Sequence, residues 1–200
     1  MAQTVLPVDF YDRDVREVAR GLIGKVLVTR CDRQRVSGMI IETEAYLPKR
    51  DTASHAYLGP NRKNRAMFGP PGIAYVYPIH ARYCFNVVTQ AAGIPCAVLI
   101  RAVQPLSGLV QMKCRRKTET LELLTSGPAR LCEAFAIDRQ MNELNLTSRR
   151  HVWLESDSST NITAQEIRIT RRIGVTSGKQ LRLRYVLRGN RFVSGPRSLS

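Results

Sequence analysis

Short apolar runs separated by turn-forming residues constrain the fold of this chain more than any other feature. Several runs alternate apolar and polar side chains, as half-buried strands do, and strong turn signals lie at Gly69–Gly72 and at Gly189-Asn190. Strands are predicted at 25–30, 36–46, 73–77, 83–89, 96–101, 152–155, 166–170, 181–188 and 191–193. This pattern favours a mixed, mostly antiparallel α/β architecture.

Three segments have helical patterns. Residues 12–23 place apolar side chains on one face, and residues 106–117 are helix-like and end in a basic cluster. Ser126-Gly127-Pro128 predicts a further helix start, with a hydroxyl cap and a proline in the first turn. A long polar loop at 47–65 is of a length that is often functional. With 200 residues and no convincing linker, one domain over 1–200 is expected.

The charge of the chain points to a polyanion as its partner. Lys and Arg number 31 against 16 Asp and Glu, a net charge of +15, and 25 of the 31 are Arg. Arg pairs phosphate oxygens through a planar fork. A basic surface that only aids solubility is the alternative. Membrane binding ranks last, because there is no strongly amphipathic basic helix with a Trp or Phe face.

Five widely spaced cysteines form no Cys-x-x-Cys pair, which argues against a zinc ribbon, an iron–sulfur cluster or a disulfide framework. Buried free thiols are expected, with no metal and no cofactor. The start of the chain lacks an apolar signal core, and no run is as long as a membrane span. These features predict a cytoplasmic protein, or a nuclear one in a eukaryote.

The segment Ile40–Tyr46 carries candidate chemistry. Side chains alternate in a strand, so Glu42, Glu44 and Tyr46 would share a face. One interpretation is a general base beside an aromatic ring. The other is a solvated polar face that pairs with Arg, and spacing alone favours it because charged residues usually lie on surfaces.

Other candidates are weaker when taken singly. His55 is a lone loop histidine, and the basic run 62–65 either holds phosphates or is a solvated loop. Aromatic residues at Tyr75, Tyr77 and Tyr83 indicate either strand packing or a platform on which bases stack. Taken together, basic charge, aromatic rings and an acid fit hydrolysis of a glycosidic bond on an extruded base.

Motifs along nearly the whole chain resemble the alkyladenine (3-methyladenine) DNA glycosylase family. They are IETEAY at 41–46, His55, NRxxxMF at 64–68, GxxYVY at 72–77, CFN at 84–86, IRAVQPLSG at 100–108, SGPARLCEAFAI at 126–137 and RRIGVTSGKQLRLRYVLRGN at 171–190. The resemblance implies an α+β fold, a single mixed domain with a curved, mostly antiparallel sheet flanked by helices. It also implies a monofunctional enzyme that uses water as nucleophile and needs no metal or cofactor.

The resemblance implies roles for individual residues. Glu44 matches the catalytic glutamate that activates water, and Arg101 matches the arginine that helps hold that water. In the family, pocket residues stack on both faces of the flipped base and hydrogen-bond its edge. The matching residues here are Tyr46, His55 and Tyr77. Asn86 matches the asparagine that disfavours normal guanine by crowding its 2-amino group. Glu42 is expected to be structural.

One position departs from the family pattern. The family places a wedging tyrosine three residues after the last tyrosine of YVY, and here that position is His80. His80 is expected to fill the gap left by the flipped nucleotide, with Ile79 as the alternative. Contacts to the DNA backbone are expected from Arg62, Lys63, Arg65, Arg82 and Arg130.

The expected partner is double-stranded DNA that contains alkylated purines, bound by a monomer, with no membrane involved. Expected lesions are 3-methyladenine and 7-methylguanine, with ethenoadenine and hypoxanthine as further candidates. Two alternatives stay open. A catalytically silent lesion- or RNA-binding protein on the same fold would not need Glu44, and a hydrolase of free nucleosides would leave the Arg excess unexplained.

Overall fold

A computed structural model describes residues 3–31 and 34–195, with Cys31 described by its backbone alone. Its nine strands form one sheet in the order β1-β7-β2-β3-β6-β5-β4, and β9 pairs with both β3 and β8. The strands are β1 (Gln3–Val5), β2 (Val26–Cys31), β3 (Gln34–Tyr46), β4 (Ala74–Ile79), β5 (Arg82–Thr89), β6 (Cys96–Ser107), β7 (Val152–Asp157), β8 (Ile167–Thr170) and β9 (Arg184–Leu187). Every strand pair within the described residues is antiparallel.

Strand β3 is the centre of the sheet and determines where the site lies. Along one edge it pairs with β6 over most of its length. Along the other edge its first half pairs with β2, and residues Glu42 to Glu44 pair with β9. The register against β6 shifts between Ile40 and Thr43, an irregularity of the kind that bends a strand and re-aims its side chains. The end of β3 therefore lies between β6 and β9.

In the described part of the chain five α-helices accompany the sheet: α1 (Val8–Tyr11), α2 (Val15–Gly21), α3 (Leu109–Arg116), α4 (Glu122–Thr125) and α5 (Pro128–Ala134). Helix α2 packs on β3 and β6, and α5 packs on β5 and β6. Their buried side chains join those of the sheet in one large hydrophobic core. This arrangement confirms the predicted α+β class.

Two helix predictions need correction at their starts. The first helix begins at Val15 rather than Asp12, because the Asp14 side chain accepts from the Arg16 backbone N–H at 2.8 Å and caps it there. The helix predicted from Leu106 begins at Leu109, since β6 continues to Ser107.

At the third helix the hydroxyl cap was wrong, although the proline does open the helix. Gly127 is the capping residue, with a φ of 125° that favours glycine, and the Ser126 hydroxyl accepts instead from the Arg130 side chain.

Most predicted strands are confirmed with small changes of boundary, and one is wrong. Residues 191–193 form a turn, in which the Asn190 side chain accepts from the Phe192 backbone N–H at 3.0 Å. Strand β1 and helices α1 and α4 were not predicted.

The cysteines with described side chains are free thiols. Cys84, Cys96 and Cys132 are buried as expected, whereas Cys114 is exposed. Within residues 3–31 and 34–195, no helix is long and apolar enough to cross a membrane.

Candidate active site

The two acids of β3 are fully buried. Glu42 and Glu44 both have 0% of their surface exposed, so the predicted solvation of this face is wrong, although the predicted pairing with Arg is present. Between them Thr43 donates its hydroxyl to the Ala19 carbonyl of α2 at 2.8 Å, which ties the strand to the helical layer. Buried carboxylates need charged or hydrogen-bonded partners, and both acids have them.

Glu44 accepts three hydrogen bonds. Its Oε1 accepts from the Ile173 backbone N–H at 2.8 Å. Its Oε2 accepts from the Tyr46 hydroxyl at 3.0 Å and from Arg101 Nη1 at 3.2 Å. An ionised carboxylate offers about four acceptor positions, so three donors leave one free, on Oε1.

Glu42 lies at the centre of a second, fully internal network. It accepts from Arg101 Nε, from Arg184 Nε, and from both the backbone N–H and the hydroxyl of Ser194, at 2.7–2.9 Å. Arg184 comes from β9, which pairs with β3 at this point. Three of these donors bond Oε1 and the Ser194 N–H bonds Oε2, so internal partners hold both oxygens, in keeping with the structural role expected for Glu42.

Arg101 joins the two acids. Its guanidinium bonds to both carboxylates and also donates to the Ser194 hydroxyl at 3.3 Å. Although burial opposes the charged form, the Glu44 and Glu42 carboxylates hold the pKa of Arg101 above its ordinary value. Arg101 therefore stays a cation beside Glu44.

A cleft of about 1230 Å³ is lined by Tyr46, whose hydroxyl donates to Glu44, whereas Glu44 itself is buried behind the lining residues. This volume exceeds the roughly 300–1,000 Å³ of small-molecule pockets, which leaves room for a base together with part of its backbone. Burial and the neighbouring Glu44 carboxylate raise the pKa of Tyr46 well above its ordinary value, so the phenol stays protonated and donates to Glu44.

His55, Tyr75 and Tyr77 form an aromatic wall of the cleft. The His55 and Tyr77 rings meet edge to face with centroids 4.5 Å apart, and Tyr75 lies 5.4 Å from Tyr77. His55 Nδ1 is 2.8 Å from the Tyr75 hydroxyl oxygen. These contacts fix the rings against each other and leave an apolar surface facing the cleft.

The loop after β3 carries His55 to this wall. The buried Asn64 side chain donates to the backbone carbonyls of His55 and Gly59, at 2.8 and 3.0 Å, and so holds the loop. The outer surface of His55 is exposed, yet its neighbours Tyr75 and Tyr77 desolvate the ring. This desolvation lowers the pKa of His55 below its ordinary value, so the imidazole is neutral at neutral pH.

Asn86 lines the cleft from β5 and is 3% exposed. Its side-chain amide donates to the Tyr75 carbonyl on β4 at 3.0 Å. That bond restricts rotation of the side chain, so Asn86 presents a fixed shape to whatever occupies the cleft.

The β4–β5 hairpin ends beside the cleft. His80 is at its tip with a φ of 51°, a left-handed conformation that is uncommon for a residue other than glycine. His80 and Ile79 are both exposed, and Ile79 also lines the cleft, whereas His80 does not. Arg82 follows the tip, and its guanidinium is 3.5 Å from the Glu133 carboxylate.

The other predicted basic residues divide into two groups. Arg62 and Lys63 are exposed and line the cleft. Arg65 is exposed but pairs with Glu143 at 3.2 Å, and Arg130 is half-buried with its guanidinium donating to Ser126. The structure thus brings Arg62 and Lys63 to the cleft, and leaves Arg65 and Arg130 outside its lining.

Several residues of the site were not predicted from the sequence. Arg139 and Asn142 line the cleft, and Asn142 also accepts from the Val76 backbone N–H at 2.9 Å. Residues 174–177 line the cleft as well. Residues 174–177 fall within a motif already quoted above, whereas Arg139 and Asn142 have no local signal.

A buried carboxylate bonded to the wall of an aromatic cleft that basic residues also line is typical of an enzyme that acts on a nucleic-acid base. The family model described as methylpurine-DNA glycosylase matches residues 9–191. The chain therefore belongs to the methylpurine-DNA glycosylase family, whose members are hydrolases, and the family predicted from the motifs is confirmed.

Similar proteins come from bacteria and from archaea. A protein of Carboxydothermus hydrogenoformans is 42% identical over 191 residues, covering 95% of this chain and 98% of its own. One from Methanoculleus marisnigri is 43% identical over 193 residues, covering 94% and 98%. One from Koribacter versatilis is 41% identical over 199 residues, covering 97% and 95%. All three are named as candidate 3-methyladenine DNA glycosylases.

Proposed function

We propose that this protein flips an alkylated purine out of duplex DNA and hydrolyses its N-glycosidic bond with water activated by Glu44. The observation that carries the proposal is the buried Glu44 carboxylate, which is hydrogen-bonded to Tyr46 of the cleft lining and has one acceptor position free. A buried acid held by three donors is oriented before substrate arrives, which is what a general base requires.

The hydrolysis needs one proton acceptor. Glu44 Oε1 takes a proton from water as the water oxygen bonds to C1′ of the sugar. The bond between C1′ and the purine nitrogen breaks, and its electron pair leaves with the base. An alkylated, cationic purine leaves as a neutral molecule, so no second acid is needed, unlike in the two-carboxylate glycosidases. The product is an abasic site.

The cleft walls suit a cationic base. The cleft is lined by Tyr46, Tyr77 and His55, which offer electron-rich rings against which a cation is stabilised. Because His55 is neutral, it adds no repulsion to such a base. Asn86, with its amide fixed, excludes normal guanine by crowding the 2-amino group.

The DNA backbone is held from the rim of the cleft. Arg62 and Lys63 bind phosphates there, and Arg82, Arg65 and Arg130 add contacts further out. His80, on the tip of the hairpin, enters the base stack and fills the gap left by the flipped nucleotide. Such a plug offsets an unstacking cost of a few kcal/mol.

Duplexes with one 3-methyladenine, 7-methylguanine, ethenoadenine or hypoxanthine test this function. After incubation with the protein, hot alkali cleaves the strand at any abasic site. Cleavage at the lesion is the expected result. Binding without cleavage would favour a catalytically silent binder, and release of base from free nucleosides alone would favour a nucleoside hydrolase.

A further inference from the structure

A buried ion pair lies behind the cleft, apart from the Glu42 and Glu44 networks. Arg172 Nη2 and Nη1 donate to Asp51 Oδ1 and Oδ2 at 2.6 and 2.7 Å, and both side chains have 0% of their surface exposed. Gly178 packs over the pair, close enough that a Cβ there would lie 3.1 Å from Arg172 Nη2. Water is therefore excluded from the pair.

The cation of this pair faces the Tyr46 ring. The Arg172 guanidinium carbon lies 4.6 Å from the ring centroid. Tyr46 lines the cleft whereas Arg172 does not, so the ring separates the guanidinium from the cleft. A full positive charge in this position would oppose a second cation on the other face of the ring. Asp51, hydrogen-bonded to both terminal nitrogens, cancels that charge.

We propose that the Asp51–Arg172 pair determines the charge selectivity of the cleft, because Asp51 neutralises Arg172 and so leaves the Tyr46 ring attractive to a cationic base. Arg172 also positions the strand, because its Nη1 donates to the Ala45 carbonyl at 3.1 Å. The proposal rests on the function proposed above and assigns Asp51 and Arg172 as specificity-determining positioning residues.

The distances set the size of the effect. A base stacked about 3.5 Å beyond the ring would lie about 8 Å from the guanidinium. With an effective dielectric constant of about 20, the repulsion between two unit charges at that distance corresponds to roughly a 30-fold change in affinity. Water in the open cleft weakens this repulsion. We therefore expect the affinity for a cationic base to fall about five- to 30-fold when Asp51 loses its charge.

The test compares binding of a cationic and a neutral lesion. Duplexes with 7-methylguanine, hypoxanthine or no lesion are titrated by fluorescence anisotropy, in a Glu44→Gln background that prevents turnover. Asp51→Asn is expected to weaken binding of 7-methylguanine about five- to 30-fold more than binding of hypoxanthine. Arg172→Gln leaves the Asp51 charge uncompensated and is expected to shift the ratio of the two dissociation constants in the opposite direction.

The double variant Asp51→Asn with Arg172→Gln is the matched control. It removes both charges, so the wild-type ratio of dissociation constants should return even if both affinities fall. Thermal unfolding shows which variants are folded at the assay temperature, and each folded variant tests the ratio on its own. If Asp51→Asn, or Arg172→Gln, weakened binding of both lesion duplexes by the same factor, the pair would only support the fold.

A ratio changed by the double variant would also overturn the proposal. Failure of the proposed function has a different signature, which is the absence of alkali-labile sites with the wild-type protein. Excision therefore tests the proposed function, whereas the ratio of dissociation constants tests the charge selectivity.

Discussion

Replacing Glu42 with Gln tests whether this acid contributes to the stability of the fold rather than to catalysis. Glu42 is 0% exposed and accepts four hydrogen bonds at 2.7–2.9 Å from Arg101, Arg184 and Ser194. Gln has almost the same shape but no charge, so two buried guanidinium groups lose their shared anion. Removing one partner of a buried ion pair costs about 3–5 kcal/mol.

In a protein of this size, a loss of 1 kcal/mol in the free energy of unfolding lowers the melting temperature by about 2–4 °C. Glu42→Gln should therefore lower Tm by roughly 6–20 °C. Differential scanning calorimetry measures the shift. Glu143→Gln is the control, because its ion pair with Arg65 is exposed and should contribute about 1 kcal/mol or less. The folded Glu42→Gln protein should lose less excision activity than Glu44→Gln. A Tm within about 3 °C of wild type, or equal loss of activity, would refute this account of Glu42.

Three further predictions concern the DNA and the base. The logarithm of affinity for undamaged duplex should fall linearly with the logarithm of salt concentration, with a slope of about −0.9 per phosphate contacted, and a flat plot would exclude polyanion binding. Asn86→Ser should raise the release of normal guanine from undamaged DNA, and an unchanged release with intact lesion excision would mean that Asn86 is not the filter. His80→Ala should slow flipping, reported by a fluorescent base beside the lesion, and His80→Tyr should restore most of it. If Ile79→Ala slows flipping and His80→Ala does not, the wedge is Ile79.

Regular elements were predictable because their signals are local. Strand β3 has an apolar pattern over most of its length, so its end at Tyr46 is found from the sequence. Strand β1 has three residues, too few for a period to be visible. The 191–193 segment has strand-like residues, but the Asn190 side chain closes a turn there. Side-chain capping of this kind competes with a short apolar run.

The internal networks were not predictable in the same way. Glu42 bonds to Arg184 and to Ser194, which are 142 and 152 residues away along the chain, and Arg172 lies 121 residues from Asp51. No periodicity relates such pairs, and buried acids look like surface acids when only spacing is considered. The family motifs pointed to Glu44, Arg101 and the aromatic residues, whereas the bonds of Glu42 to Arg184 and Ser194 emerge only from the fold.

The central claim is that Glu44 is the base that activates water, and single-turnover excision by Glu44→Gln tests it most directly. Gln keeps the size of the side chain and an acceptor for the Ile173 N–H, but it cannot take a proton at neutral pH. Binding of the lesion duplex should stay close to wild type, while the excision rate should fall by about 10² to 10⁴. A rate within tenfold of wild type would contradict the assignment of Glu44.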